Sequence, residues 1–347
     1  MTSMRFQGAL SVLAVTAAVV ASGSVQARQG EDPAAKAAAI LAQARKALGG
    51  EDKLAAVKGL EAKGTVRRAA GDVNLEGDLE LAVELPGKYL RKESIVLGGG
   101  GQGLDRTEGL NGTDAWEEMK FGGGVNFDGD FGGGGARGGG NRGAGDGRQG
   151  AAGDQRPGDA ERQKEVQLRT RQTEVARVLL ATLLASDVPM RWIGTAVSPQ
   201  ATAEVLEIQT PDGTPTRLLI DSKTYMPLML TWTGIAQDPL AALAGRAGFG
   251  RGRGRGRGGF GFPGRGGGGG QGSQRGQQPA AGAAAETRAD ALAQPTTLRM
   301  FLSEYKAVNG IKLPHLMVRG SGDQVTEEWV IRNYRINPNF KADTFSK

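Results

Sequence analysis

Residues 73–85 read VNLEGDLELAVEL, with Val73, Leu75, Gly77, Leu79, Leu81, Val83 and Leu85 at the odd positions. The even positions hold Asn74, Glu76, Asp78, Glu80, Ala82 and Glu84. Alternation of period two over this length marks a β-strand with one buried and one wet face. Strands of that kind belong to antiparallel sheets with one face in water. The turn-forming residues Ala70-Gly71-Asp72 and Pro86-Gly87 bound the segment and predict flanking strands at 60–68 and 88–96.

Further strands are predicted at 110–120, 190–197, 203–210, 216–221 and 225–233. Three more follow at 297–308, 311–319 and 325–336. Asn309-Gly310 is a strong hairpin turn. Two helices accompany them. Asp32 caps the first, Pro33 suits its first position and Gly49 ends it, with Ile40, Leu41, Ala44 and Leu48 as its stripe. A short helical turn around Leu54 and Val57 comes next. The second long helix covers 161–185; its polar first half is expected in solvent, and Val175, Val178, Leu179, Leu183 and Leu184 recur at helical spacing in the second.

The chain has 347 residues, of which 58 are glycines. Two Gly-rich stretches, at about 122–158 and 234–294, read as structureless inserts. The remaining segments are each too short to bury a core alone. The expectation is therefore one α+β domain over 28–347, interrupted twice, with a curled antiparallel sheet wrapping two or three helices.

Residues 1–27 read as a cleavable signal peptide. Arg5 precedes an apolar run at 9–21, and Val25-Gln26-Ala27 offers a cut before Arg28. That run is too short to span a bilayer, and no transmembrane segment is expected in the mature protein. The expected location is the periplasm.

The net charge of +6 is local. Seven arginines and no acid lie between Gly245 and Ala285; without them 36 basic residues face 37 acidic ones. Arg251, Arg253, Arg255, Arg257 and Arg265 make this loop a candidate for lipopolysaccharide phosphate, anionic lipid head groups or DNA outside the cell. No specific nucleic-acid partner is expected of an exported chain. The bland alternative is a flexible loop without a partner.

Chemical motifs are sparse. Cysteine is absent, which removes disulfides, thiolate nucleophiles and lipid attachment at a processed N-terminal Cys. His315 is the single histidine and fits a structural role in a strand. The GxGxxG match at Gly98, Gly100 and Gly103 lies in a glycine run without a βαβ unit around it. Asn126-Phe127-Asp128-Gly129-Asp130 suggests a calcium turn but lacks the rest of an EF-hand loop. The reading is of no enzyme, no cofactor and no metal site.

ARKALGGEDKLAAVKGLEAKGTVRR, NGTDAW, RLLIDSKTYMPLML and the ending YKAVNGIKLPHLMVRGSGDQVTEEWVIRNYRINPNFKADTFSK together resemble the periplasmic LolA/LolB-like lipoprotein carriers. The resemblance implies an unclosed half-barrel around helices, with an apolar cavity for a lipid or the acyl chain of a lipoprotein. Fold alone does not fix function. The residues expected to line such a cavity are Val73, Leu75, Leu79, Leu81, Val83, Trp116, Val175, Leu179, Met226, Leu228, Leu230 and Trp232. The alternative function is an envelope interaction or sensor module with a self-filled core, its Arg/Gly-rich loop contacting anionic surfaces.

Overall fold

A computed structural model describes residues 32–70, 73–97, 102–122, 125–127, 159–186, 188–199, 201–235 and 295–347. Helix α1 (Pro33–Leu48) starts where Asp32 accepts a 3.1 Å hydrogen bond from the Ala34 N–H, and Pro33 occupies its first turn. It stops at Gly49, whose φ of 146° no side-chain-bearing residue readily adopts. A Cβ there would also lie 2.4 Å from the Gly310 carbonyl oxygen, so the glycine lets the helix end press onto a hairpin turn. The buried stripe is Ala37, Ile40, Ala44 and Leu48. Helix α2 (Glu51–Ala55) follows at once.

Six strands come next: β1 (Gly59–Ala70), β2 (Val73–Glu84), β3 (Lys88–Leu97), β4 (Gln102–Asn111), β5 (Asp114–Phe121) and β6 (Val125–Phe127). Helix α3 (Asp159–Leu183) leads to β7 (Arg191–Val197), β8 (Thr202–Gln209), β9 (Pro215–Asp221) and β10 (Pro227–Ile235). The last three strands are β11 (Pro295–Val308), β12 (Ile311–Ser321) and β13 (Gln324–Ile336).

The 13 strands among the described residues form one antiparallel sheet in the order β6-β5-β4-β3-β2-β1-β13-β12-β11-β10-β9-β8-β7. It consists of two meanders, β1–β6 and β7–β13, zipped together by the pairing of β1 with β13. The free edges are β6 and β7, so the sheet curls without closing.

That topology explains α3. The chain leaves one meander at β6, one free edge, and enters the other at β7, the opposite edge. A helix of 25 residues, about 37 Å long at 1.5 Å per residue, makes the crossing over the inner face. Residues 160–170 are mainly exposed, whereas the second half of the helix is mainly buried. The main core lies between the inner face, α1 and α3, and Leu48, Leu81, Val178, Leu184, Leu230 and Trp329 belong to it. Arg45 of α1 donates to the Leu184 carbonyl at 3.1 Å and ties the two helices together.

The structure corrects two sequence expectations. The single strand predicted at 110–120 is two strands, because Gly112 has a φ of 64° and turns the chain between β4 and β5. Glycines 98, 100, 101 and 103 hid β4 from period-two reading, and its inner residues include charged ones. Residues 125–127, placed in the first insert by composition, form β6 against β5.

Candidate functional site

The inner face has two chemically different halves. Strands β8–β11 supply Leu206, Leu218, Leu230 and Met300, all fully buried. Cross-strand register sets Leu206 beside Leu218, Leu218 beside Leu230 and Leu230 beside Met300, an unbroken apolar row. Leu79, Leu81 and Val83 extend the same core on β2.

The other half is ionic. Alternation brings Arg68, Arg91, Glu93, Arg106, Glu108, Glu117, Arg319 and Glu327 to the inner side of β1, β3, β4, β5, β12 and β13. Register then pairs opposite signs: Arg91 faces Glu108, Glu93 faces Arg106 and Arg319 faces Glu327. Arg68 holds Glu93 at 2.9 Å and Glu327 at 3.2 Å. Arg91 bonds Glu93 and Glu327, and Arg106 bonds Glu108 and, at 2.8 Å, Glu117.

Helix α3 closes this network from above. Arg171 bonds Glu108 and lies 3.7 Å from Glu117; Glu174 bonds Arg319 and lies 3.7 Å from Arg91. Arg91 and Arg319 also stack on the Trp329 ring, at 4.5 and 4.6 Å. Burial alone would raise the carboxyl pKa values of Glu108 and Glu327, but the surrounding arginines outweigh it and hold both well below the usual range. Burial, with the Glu174 charge added, pushes the Tyr89 hydroxyl up.

An opening lies at the rim, between α1 and the segment after α3. It is a cleft of about 290 Å³ lined by Ala34, Ala37, Ala38 and Leu41 on one side and Ser186, Val188, Pro189 and Met190 on the other. Alanines on this helix face leave the space. Lys36 caps the neighbouring Trp192 ring at 3.7 Å. A smaller pocket of about 140 Å³ lies at the β9–β10 end, lined by Pro215, Arg217, Trp232 and threonines.

The residues expected at a cavity separate into groups. Leu79, Leu81, Val83, Val175, Leu230 and Trp232 meet in the main core, with Leu179 and Met226 packed at its margin. Leu228 is half-buried at a register shift between Pro227 and Met229. Leu75 joins Ile95, Leu104, Met119 and Phe121 in a separate small cluster. Trp116 lies apart from the lumen, in an outer-face cluster with Ala82, Leu90 and Phe345, where its Nε1 donates to the Phe345 carbonyl at 3.3 Å. The side chain of Val73 and residues Arg251, Arg253, Arg255, Arg257 and Arg265 lie outside the described residues, as do positions 128–130 of the suggested calcium turn.

His315 is buried, with Nδ1 2.8 Å from the Ile331 carbonyl and its ring edge-on to Tyr334. Among the described residues no group of three His, Asp or Glu could hold a metal ion, and no helix is long and apolar enough to cross a membrane. Sequence reasoning missed the ionic half, whose signal is charge at inward parity. In KYLRKESIVL the residues in phase with Tyr89 and Ile95 are Arg91 and Glu93.

No family model matches the sequence, and no curated protein matches it. Among solved structures, the chain is similar to a LolA superfamily protein from Nitrosomonas europaea, with 9% identity and a TM-score of 0.43. That alignment covers 92% of this chain and 99% of the other. It is also similar to an outer membrane lipoprotein-sorting protein domain from Vibrio parahaemolyticus (9% identity, TM-score 0.39, 88% and 94% covered). A DUF1329 family protein from Desulfovibrio piger gives 9% identity and a TM-score of 0.40, with 91% and 98% covered. The likeness concerns fold, and at this identity neither ligand nor partner transfers.

Proposed function

We propose that this chain is a non-enzymatic, exported envelope protein that binds an apolar chain, such as a lipid or acyl group, at the inner face of its sheet. The observation that carries the reading is the rim cleft. Its walls are mostly small or aliphatic, its volume approaches the lower end of ligand sites, and its inner residues Ala37 and Met190 belong to the main core. A chain entering there would run from solvent towards aliphatic side chains without crossing the ionic half.

The test is binding of a fluorescent fatty acid to the purified protein, together with native mass spectrometry for lipid retained from the envelope. Ala38 is exposed and lines the cleft, so Ala38→Trp should fill the opening at little cost in stability and weaken binding at least about 10-fold, the equivalent of 1.4 kcal/mol. Absence of any apolar ligand from the wild-type protein would refute the proposal. One observation favours the alternative interaction module: Leu81 and Leu230 are fully buried in the main core, as a self-filled lumen would require.

A further inference from the structure

The five arginines of the ionic half each have a glutamate within hydrogen-bond distance. A sixth buried arginine does not. Arg177 projects from α3 with 8% of its surface exposed, and its nearest carboxylate oxygen, Oδ2 of Asp212, is 3.9 Å away. Oδ1 of Asp212 accepts from the Thr210 hydroxyl at 2.7 Å and the Thr214 N–H at 2.8 Å, which fixes the carboxylate with Oδ2 towards Arg177 but beyond hydrogen-bond distance. The direct hydrogen bond of Arg177 runs from Nε to the Thr216 hydroxyl at 3.3 Å. Its guanidinium is stacked 4.4 Å over the Trp232 ring.

The position matters as much as the long pairing. Thr216 and Trp232 are cross-strand partners on the rung beside Leu218 and Leu230, and Glu174, one turn back on α3, bonds Arg319 of the ionic half. Arg177 therefore stands where the apolar half meets the ionic half. It lies about 9 Å along α3 from Leu183, the last helical residue, by the 1.5 Å rise per residue, and the segment lining the rim cleft begins at Ser186. A buried cation without a close counter-ion is costly and is ordinarily matched by an anion. Consistent with this, burial pulls the Arg177 pKa down to about 10, with Glu174 and Asp212 compensating only in part.

We infer that Arg177 is the anchor for an anionic head group, a carboxylate or a phosphate monoester, carried by the apolar chain that enters at the rim. This rests on the proposed function and adds the ligand's charge to it. Arg177 would present its two terminal nitrogens to the head group in a bidentate pair, while Trp232 and Thr216 hold the guanidinium plane. The chain would lie along α3 against the apolar row.

The experiment compares four probes of equal chain length: dodecanoate, dodecyl phosphate, methyl dodecanoate and dodecanol. Each is titrated into wild-type protein and Arg177→Met at pH 7. Wild type should bind the two anions about 10- to 100-fold more tightly than the two neutral probes, as expected for a charge-assisted hydrogen-bonded pair. The difference between dodecanoate and dodecyl phosphate reports which head group fits. Arg177→Met should abolish the preference for anions by weakening anion binding, and the unliganded variant should melt at or above the wild-type temperature.

Equal affinity of wild type for anionic and neutral probes would overturn the inference and leave the apolar-chain reading intact. The inference also fails if Arg177→Met weakens all four probes alike, or lowers the melting temperature of the unliganded protein by many degrees. Failure of wild type to bind any probe would remove both readings.

Discussion

Leu230→Ala measures whether the lumen is a filled core or a space held for a ligand. Leu230 has no exposed surface and sits between Leu218 and Met300 in the cross-strand row. The substitution removes the equivalent of three methylene groups, about 2.4 kcal/mol of transfer free energy at ~0.8 each. Its neighbours are fixed by two strand ladders and collapse poorly, which adds a cavity contribution and brings the loss to about 3–4 kcal/mol. Leu81, 1% exposed on β2, should behave alike. Urea unfolding followed by tryptophan fluorescence and circular dichroism is the assay. With a slope of about 2–3 kcal/mol per molar, the midpoint should fall by roughly 1–2 M while the slope stays constant. Losses under about 1 kcal/mol at both positions would refute the filled core, because such side chains would already lack neighbours on one side. If the losses are large, added fatty acid should shift the midpoint of the alanine variants more than that of wild type, since the vacated volume adjoins the proposed path.

Glu327→Gln leaves Arg68, Arg91 and Arg319 short of a shared carboxylate and should cost about 3–5 kcal/mol; a urea midpoint within about 0.3 M of wild type would contradict that. Glu108, Glu174 and Glu327 have folded pKa values below the unfolded value of about 4.3, so their contribution is complete above that pH and is lost as pH falls towards the folded values. Stability should therefore be level from about pH 8 to 5.5 and decline below about pH 4.5, less steeply in Glu327→Gln; an acid-independent midpoint would be the contrary result. Gly109→Ala places a Cβ 2.1 Å from the Trp116 ring and should expel the tail that carries Phe345, seen as faster proteolysis of the C-terminal residues. Ile235 and Pro295 are already cross-strand partners, so a short Gly/Ser linker in place of 236–294 should keep a cooperative unfolding transition.

Much of the fold was legible because one period carries it. VNLEGDLELAVEL alternates so regularly that β2 could be placed to within one residue, and Asn309-Gly310 named the β11–β12 hairpin. Capping residues set α1 equally well. The losses have physical causes. β4 follows a run of glycines and carries Arg106 and Glu108 on its inner side, so the apolar signal that reveals a half-buried strand is weak there. Trp116 belongs to a strand as expected, yet alternation alone does not say which face is the lumen when a C-terminal tail covers the other with Phe345.

The lumen was legible only where it is apolar. Leu79, Leu81, Val83, Leu230 and Trp232 announce burial by type, and they do meet. Arg91, Glu93 and Glu327 look like surface residues until register is known, because their burial depends on partners on other strands and on α3. Local sequence holds no record of such pairings. A buried ion-pair network stabilises a fold less than apolar packing of the same volume. Its placement under α3 does have one physical consequence. Ionic contacts can exchange protein partners for water at modest net cost, whereas the apolar contacts of Val178 and Leu184 cannot. The middle of α3, at Arg171 and Glu174, and its C-terminal end are thus held by forces with different responses to salt and acid. A chain entering at the rim cleft would meet the apolar contacts of α3 first, and Arg177 stands between them and the ionic ones.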